Sequence, residues 1–155
     1  MEPKIINIGV IGCGRVAQHY KKIFDSGVVT GFNLIGFCDI KIEKASLLAD
    51  QYNATFFSSL PDLLKNCNLD LVLILSPSGL HYEHTKIVLE FGCNVLVEKP
   101  ISMVPSEAEE LRKLASKNNL MYGVAFQNRL NPAIIELSKA IEAKRFGKII
   151  TATVR

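Results

Sequence analysis

Short, almost unbroken apolar runs punctuate this chain, and each gives way to a stretch whose apolar residues return every three or four positions. Ile5-Ile6-Asn7-Ile8-Gly9-Val10-Ile11 ends at Gly12, Phe32 to Cys38 ends at Asp39, and Leu71 to Leu75 stops at Ser76-Pro77. Val95-Leu96-Val97 and Met121 to Phe126 are of the same kind, with Phe56-Phe57 a shorter one. A strand with one wet face alternates apolar with polar residues; a run without alternation is buried on both faces, as in a parallel sheet covered by helices. The intervening stretches carry helical stripes. They are Val16, Tyr20, Ile23 and Phe24; a helix over about 42–51; and Leu80, His84, Ile87, Val88 and Phe91, closed by Gly92. Ser59 with Asp62, and Ser106 with Glu109, read as capping boxes, the second opening a helix with Ala108, Leu111, Leu114 and Ala115 inward. Asn131-Pro132 starts a last helix through Ile134, Leu137 and Ile141, and Ile149 to Val154 reads as a strand after it. Strand–helix alternation of this kind predicts an α/β fold, a doubly wound parallel sheet with right-handed crossovers.

Composition narrows the function classes. With 18 Lys and Arg against 15 Asp and Glu, the net charge is +3, and the densest basic pairs are Lys21-Lys22 and Lys144-Arg145. That is no basic stripe, so nucleic acid is not an expected partner. No apolar run approaches the roughly 18 residues of a membrane helix, so no membrane is expected either. Met1-Glu2-Pro3-Lys4 does not read as a signal segment, which makes the cytoplasm the expected compartment. Cys13, Cys38, Cys67 and Cys93 lie far apart, without ligand spacing, so free thiols and no metal are expected.

Gly12-Cys13-Gly14-Arg15-Val16-Ala17 reads G-x-G-x-x-A, between the first strand and the first helix. Gly12 permits the tight turn, Gly14 lets a pyrophosphate approach the backbone, and Ala17 lets helix and sheet pack closely, the arrangement of a Rossmann dinucleotide site. Cys13, Arg15 and Val16 complete the cradle, whose helix amino terminus faces the phosphates. Asp39 follows the second strand, 22 residues past Ala17, where an acid hydrogen-bonds the adenosine ribose. The plainer reading of Asp39 is a turn residue at the start of the next helix. A carboxylate there repels a 2′-phosphate, so NAD is expected over NADP, with Lys41 softening the repulsion.

Two further segments fall at the carboxyl ends of strands, where open α/β sheets bind ligands: Ser76-Pro77-Ser78-Gly79-Leu80-His81 and Glu98-Lys99-Pro100. With the glycine loop, and with Gln127-Asn128-Arg129, Asn131-Pro132 and Phe146-Gly147-Lys148-Ile149, the chain resembles the amino-terminal part of the Gfo/Idh/MocA oxidoreductases. Those proteins carry G-x-G-x-x-A/G, T-P-N-x-x-H and E-K-P in this order. The resemblance implies NAD(P)-dependent oxidation or reduction at a carbon of a sugar, polyol or similar compound. It implies Lys99 as the catalytic residue, beside the nicotinamide and the reacting hydroxyl, where an ammonium stabilises oxygen charge or relays a proton. Burial would favour its neutral amine. It also implies Ser76, Pro77, Ser78 and His81 along the ribose–nicotinamide side, and Glu98 and Gln127 near the nicotinamide.

Ser78 stands where the family has asparagine, a form similar to members acting on nucleotide-linked amino sugars or their uronates. Family members run to about twice this length, so the resemblance divides the chain into a cofactor domain, 1–127, and a stub of a second α+β domain, 128–155. This chain alone would then be inactive, and the full-length protein a homo-oligomer. A non-catalytic NAD(P)-sensing module is the alternative, against which Lys99 speaks. His81 reads equally as a contact or a structural residue, His84 as a core residue and His19 as a surface one. Tyr82-Glu83-His84-Thr85-Lys86 matches the Y-x-x-x-K pair of short-chain dehydrogenases at the wrong place in the strand order, which marks it as coincidence.

Overall fold

The computed structural model describes residues 4–153. The chain divides into two compact units, with the break between Ala125 and Phe126. The first unit runs β1 (Ile6–Ile11), α1 (Arg15–Asp25), β2 (Phe32–Cys38), α2 (Ile42–Tyr52), β3 (Thr55–Phe57), α3 (Leu60–Asn66), β4 (Leu71–Ile74), α4 (His81–Phe91), β5 (Asn94–Glu98), α5 (Pro105–Lys117) and β6 (Tyr122–Ala125). Its six strands form one sheet in the order β3-β2-β1-β4-β5-β6, and every pairing is parallel. This is the doubly wound order that the alternation predicts, with the direction of winding reversing between β1 and β4.

Both sheet faces are covered, which explains the unbroken runs. Ile8 and Val10 of β1 and Leu73 and Leu75 at β4 pack with Ala17 of α1 and Ala45, Leu48 and Ala49 of α2. Their alternates Ile11, Val72 and Ile74 face the other way, toward Leu63 of α3, Val88 and Leu89 of α4 and Leu111 of α5. Each large apolar side chain withdrawn in this way contributes about 1.5–3 kcal/mol. Two helical stripes are turned from their sequence expectation. On α1 the inward residues are Ala17, Tyr20 and Phe24, while Val16 and Ile23 are exposed. On α4 they are His81, Thr85, Val88 and Leu89, while Leu80 and Phe91 are exposed.

At Ser59 the serine half of the capping box forms, its Oγ accepting from Asp62 N at 3.3 Å, while the Asp62 carboxylate accepts from the Ser59 hydroxyl in place of the Ser59 amide. The box at Ser106 does not form. Pro105 takes the first helical position of α5, Val104 becomes the cap residue, and no side chain caps the helix. Ser106 is thereby two residues past the cap position, inside the first turn, and does not cap the free amides. Glu109 instead pairs with Arg112 at 2.8 Å.

The second unit holds a 3₁₀ turn (Gln127–Leu130) and α6 (Pro132–Glu142), capped by Asn131 Oδ1 accepting from Ala133 N at 3.0 Å. The strand expected from Ile149 is absent among the described residues. Positions 149–153 are irregular, because an isolated strand has no ladder to join, and Val154 lies outside the described residues. Gln127, placed in the cofactor domain by sequence, falls past the break, in the second unit. Among the described residues no helix is long and apolar enough to cross a membrane.

Candidate functional site

Strand register puts four loops along one edge of the sheet. Ile11 is level with Cys38 on one side and Ile74 on the other, and Ile74 is level with Val97. The loops after β1, β2, β4 and β5 therefore emerge together at the carboxyl edge, around the point where the winding reverses.

The loop after β1 is held tightly. Gly12 N donates to Cys38 O at 2.8 Å, and Gly12 adopts φ +88, a left-handed conformation that suits glycine. A Cβ built there would lie 2.5 Å from Ser76 N and 2.6 Å from Leu75 C, so the β1 and β4 loops press backbone to backbone. Gly14, the cap residue of α1, is the opposite case. Its φ is −87, and a Cβ on it would meet nothing within 4 Å. No side chain caps α1, and Gln18 N donates to Gly14 O at 3.3 Å, leaving the amides ahead of it directed at open space. Ala17, buried, lets the helix close on the sheet; Arg15 and Val16 are exposed beside the turn. A tight turn, an open cradle and a helix amino terminus together suit a pyrophosphate. The Cys13 thiol lies beneath. Burial, then Asp39 and Cys38, push it up to about 12, so it is an inert thiol.

Asp39 follows β2 and uses both oxygens on backbone. Oδ2 accepts from Cys13 N and Oδ1 from Lys41 N, each at 2.8 Å. It is thus a turn residue, as in the plainer reading, but it does not cap α2, whose cap residue is Lys41 with no side-chain bond, and it holds the glycine turn as well. A carboxylate has about four lone-pair positions, so two remain for a diol. Lys41 is the exposed cap residue of α2.

After β4, Ser76 is buried, while Pro77 and Ser78 are exposed. His81 is 1% exposed, its Nδ1 lying 2.6 Å from Pro100 O and its Nε2 2.8 Å from Ser76 O. Both ring nitrogens are engaged, which gives His81 the structural one of its two readings: it ties the β4 loop to the β5 loop. His84 Nδ1 is 3.0 Å from Ser76 Oγ. Burial holds its imidazole below the usual histidine range, with Glu83 opposing and His81 assisting.

After β5, Glu98 Oε1 accepts from Tyr20 OH at 3.0 Å and Oε2 from Lys99 N at 3.2 Å. Lys99 is exposed, contrary to the burial expected from sequence, and its ammonium makes no ion pair among the described residues. The Lys99–Pro100 peptide is cis. Gln127, exposed, opens the 3₁₀ turn of the second unit.

Tyr20 is the residue that sequence reasoning missed at this site. The available signal was a phenolic hydroxyl on an otherwise apolar helix face, which needs a partner when buried. Tyr82 and Lys86, by contrast, both bind Glu110 of α5, at 2.9 and 2.7 Å. Glu110 and then Tyr82 push the Lys86 ammonium above its usual range, and the pair serves as a helix–helix tie.

The model of a family described as "Oxidoreductase family, NAD-binding Rossmann fold" matches residues 6–126. The D-glucoside 3-dehydrogenase of Escherichia coli (strain K12) is 31% identical over 153 residues, 97% of this chain and 43% of that protein. The UDP-N-acetylglucosamine 3-dehydrogenase of Acidithiobacillus ferrooxidans is 29% identical over 136 residues, 85% of this chain and 40% of that protein. Among solved structures, the WlbA dehydrogenase from Bordetella pertussis, in complex with NADH and UDP-GlcNAcA, superposes with a TM-score of 0.87 at 31% identity. That match covers 96% of this chain and 43% of the other. The chain thus spans less than half the length of these relatives.

Proposed function

The chain belongs to the Gfo/Idh/MocA oxidoreductases, and on that premise we propose that it is the cofactor-binding part of an NAD(P)-dependent dehydrogenase. The reaction would move hydride between a secondary alcohol carbon of a sugar, polyol or nucleotide-sugar and nicotinamide. The observation that carries this reading is the cradle at the point of reversal. Gly14 opens on space a Cβ would fill, an uncapped α1 points its amides there, and Asp39 flanks it with unused lone pairs. These residues fit a dinucleotide.

When bound, the nicotinamide supplies the hydride acceptor or donor. The chain's own residues do the rest. The amides at the start of α1 bind the pyrophosphate, with Cys13, Arg15 and Val16 around it. Asp39 accepts from the adenosine ribose and disfavours a 2′-phosphate, so NAD is preferred over NADP, with Lys41 at the rim. Ser76, Pro77 and Ser78 line the ribose–nicotinamide side, and His81 holds their loop from beneath. Glu98 serves the nicotinamide half, and Lys99 exchanges a proton with the reacting oxygen. The dehydrogenases among its relatives favour this over a sensing module. Residues 128–155 would open the substrate domain, and the exposed Ile134, Ile135, Leu137 and Ile141 of α6 are apolar surface that such a domain, or a homo-oligomer, would cover. Cytoplasmic residence completes the proposal.

The chain has no tryptophan to quench, so calorimetry is the test. NAD should titrate into the chain with a measurable heat and tighter than NADP. Neither cofactor binding at millimolar concentration would overturn the reading. Joined to the rest of a full-length protein, the domain should support oxidation of a sugar-type alcohol.

A further inference from the structure

On the inward stripe of α1, Ala17, Tyr20 and Phe24, only Tyr20 carries a polar atom, and that atom spans 78 positions of sequence to reach Glu98. Glu98 is the last residue of β5, and its second oxygen accepts from the Lys99 backbone amide at 3.2 Å. On the far side of Lys99, the Pro100 carbonyl lies 2.6 Å from His81 Nδ1. The backbone is therefore held on both sides of Lys99, while the Lys99 side chain is exposed. Tyr20 sits six residues past Gly14, roughly 9 Å along the helix at about 1.5 Å per residue. One helix thus presents its amino terminus to the phosphate cradle and its flank to the turn that carries Lys99.

We infer that Tyr20 is a positioning residue: its hydroxyl fixes the Glu98 carboxylate and, through it, the Lys99 backbone, keeping Glu98 from pairing with the Lys99 ammonium. The inference deepens the function proposed above and rests on it. The chemistry is that of a carboxylate with two oxygens and a cation next in sequence. Released from the phenol, Glu98 would turn on its flexible side chain toward the nearest free donor, and Lys99 Nζ is a strong one. An ammonium so paired has lost the freedom to meet a substrate oxygen. Burial and the Glu98 carboxylate both push the Tyr20 phenol above its usual range, so the hydroxyl keeps its proton and remains a donor.

Tyr20→Phe removes the hydroxyl and keeps the ring, which packs 6.1 Å from Phe24 between centroids. Two readouts are taken on the chain as it is. The first, without nucleotide, is the backbone amide NMR signal of Lys99, which should move while those of Gly12 and Gly14 stay. The second is calorimetry with NAD and with ADP-ribose. NAD should weaken about tenfold, the scale of one lost hydrogen bond to a charged group, and ADP-ribose by less than about twofold. An unmoved Lys99 amide, or an equal loss for both nucleotides, would overturn the inference. Should Tyr20→Phe unfold the chain, Glu98→Gln gives a second route to the same Lys99 amide shift, and absence of that shift counts against the strut. In a double-mutant cycle the two losses should fall short of additive; full additivity would count against coupling. If the unaltered chain binds neither nucleotide, the cofactor reading fails by itself, and the Lys99 amide alone decides the strut.

Discussion

Asp39→Ala separates the two roles of the carboxylate after β2. Its structural role has a magnitude that follows from its partners. The Cys13 amide belongs to a residue only 4% exposed, so losing its 2.8 Å acceptor leaves a buried donor unpaired, at a cost of about 1–3 kcal/mol. The Lys41 amide belongs to an exposed residue and can turn to water at little cost. For a chain of this size each kcal/mol lowers Tm by about 2–4 °C, so the melt should fall by roughly 2–12 °C. Its binding role adds a separate loss. A charge-assisted bond to a ribose hydroxyl is worth about 1.5–3 kcal/mol, so Kd for NAD should rise about 10- to 150-fold. NADP, which meets repulsion in place of attraction, should lose much less, and the ratio of the two constants should move toward one. Calorimetry with both cofactors, run beside a thermal melt, reads both roles on one preparation. A lowered Tm with an unchanged NAD-to-NADP ratio would refute the reasoning, leaving Asp39 as a turn residue only.

The two glycines of the loop should part company in the same assays. Gly14→Ala should leave Tm within about 0.5 kcal/mol equivalent, because its Cβ points into open space, yet weaken NAD by at least tenfold by filling the cradle. Gly12→Ala should destabilise the fold itself, by more than the roughly 1–2 kcal/mol of the left-handed conformation, since backbone atoms at 2.5 and 2.6 Å cannot move aside easily. Acid should expose His84. Its folded-state value lies below the ordinary 6.5, so its contribution is present above pH 6.5 and lost as pH falls below it, when the unfolded chain takes up the proton more readily. Melts from pH 7.5 to 5 should therefore fall less steeply for His84→Gln than for the unaltered chain, and equal slopes would contradict this. Ser59→Ala should cost about 0.5–2 kcal/mol in a thermal melt, through the lost bond to Asp62 N, whereas Ser106→Ala should be close to neutral.

Strands were more legible than helix faces, for a physical reason. A strand buried on both sides needs every residue apolar, as Leu71 to Ile74 are, so composition alone reveals it. A helix face is chosen by what it packs against. On α4 the inward row includes His81 and Thr85, both buried, and the His81 ring lies against the carbonyls of Ser76, in the preceding loop, and of Pro100, 19 positions on. Hydropathy gave that row to Leu80, His84, Ile87, Val88 and Phe91, of which Val88 is buried, His84 and Ile87 are half-buried, and Leu80 and Phe91 are exposed. The same blindness misplaced the α1 stripe, where the small Ala17 is closest to the sheet and the larger Val16 is outside. At α5 two local signals competed, and the fixed φ of Pro105 at the first helical position prevailed over a serine one residue later.

At the site, the sequence pattern located the loops but not the partners that hold them. Gly12, Gly14, Asp39 and Glu98-Lys99-Pro100 share one sheet edge because strand order and register put them there, and the order of motifs along the chain was enough to expect it. That Asp39 spends an oxygen on the Cys13 amide, or that Tyr20 reaches Glu98, depends on the distance between helix and sheet, which no spacing rule encodes. The difference matters most for Lys99. Sequence reasoning supplied burial as the means of easing its proton transfer, and the structure supplies a fixed backbone with an exposed ammonium instead. An exposed charge interacts weakly with an oxygen across water, and strongly only where water is excluded. On the proposed function, the bound nicotinamide and alcohol would have to exclude that water themselves. The held backbone then contributes by fixing where the Lys99 side chain starts, while its free ammonium is ordered only when nicotinamide and alcohol bind.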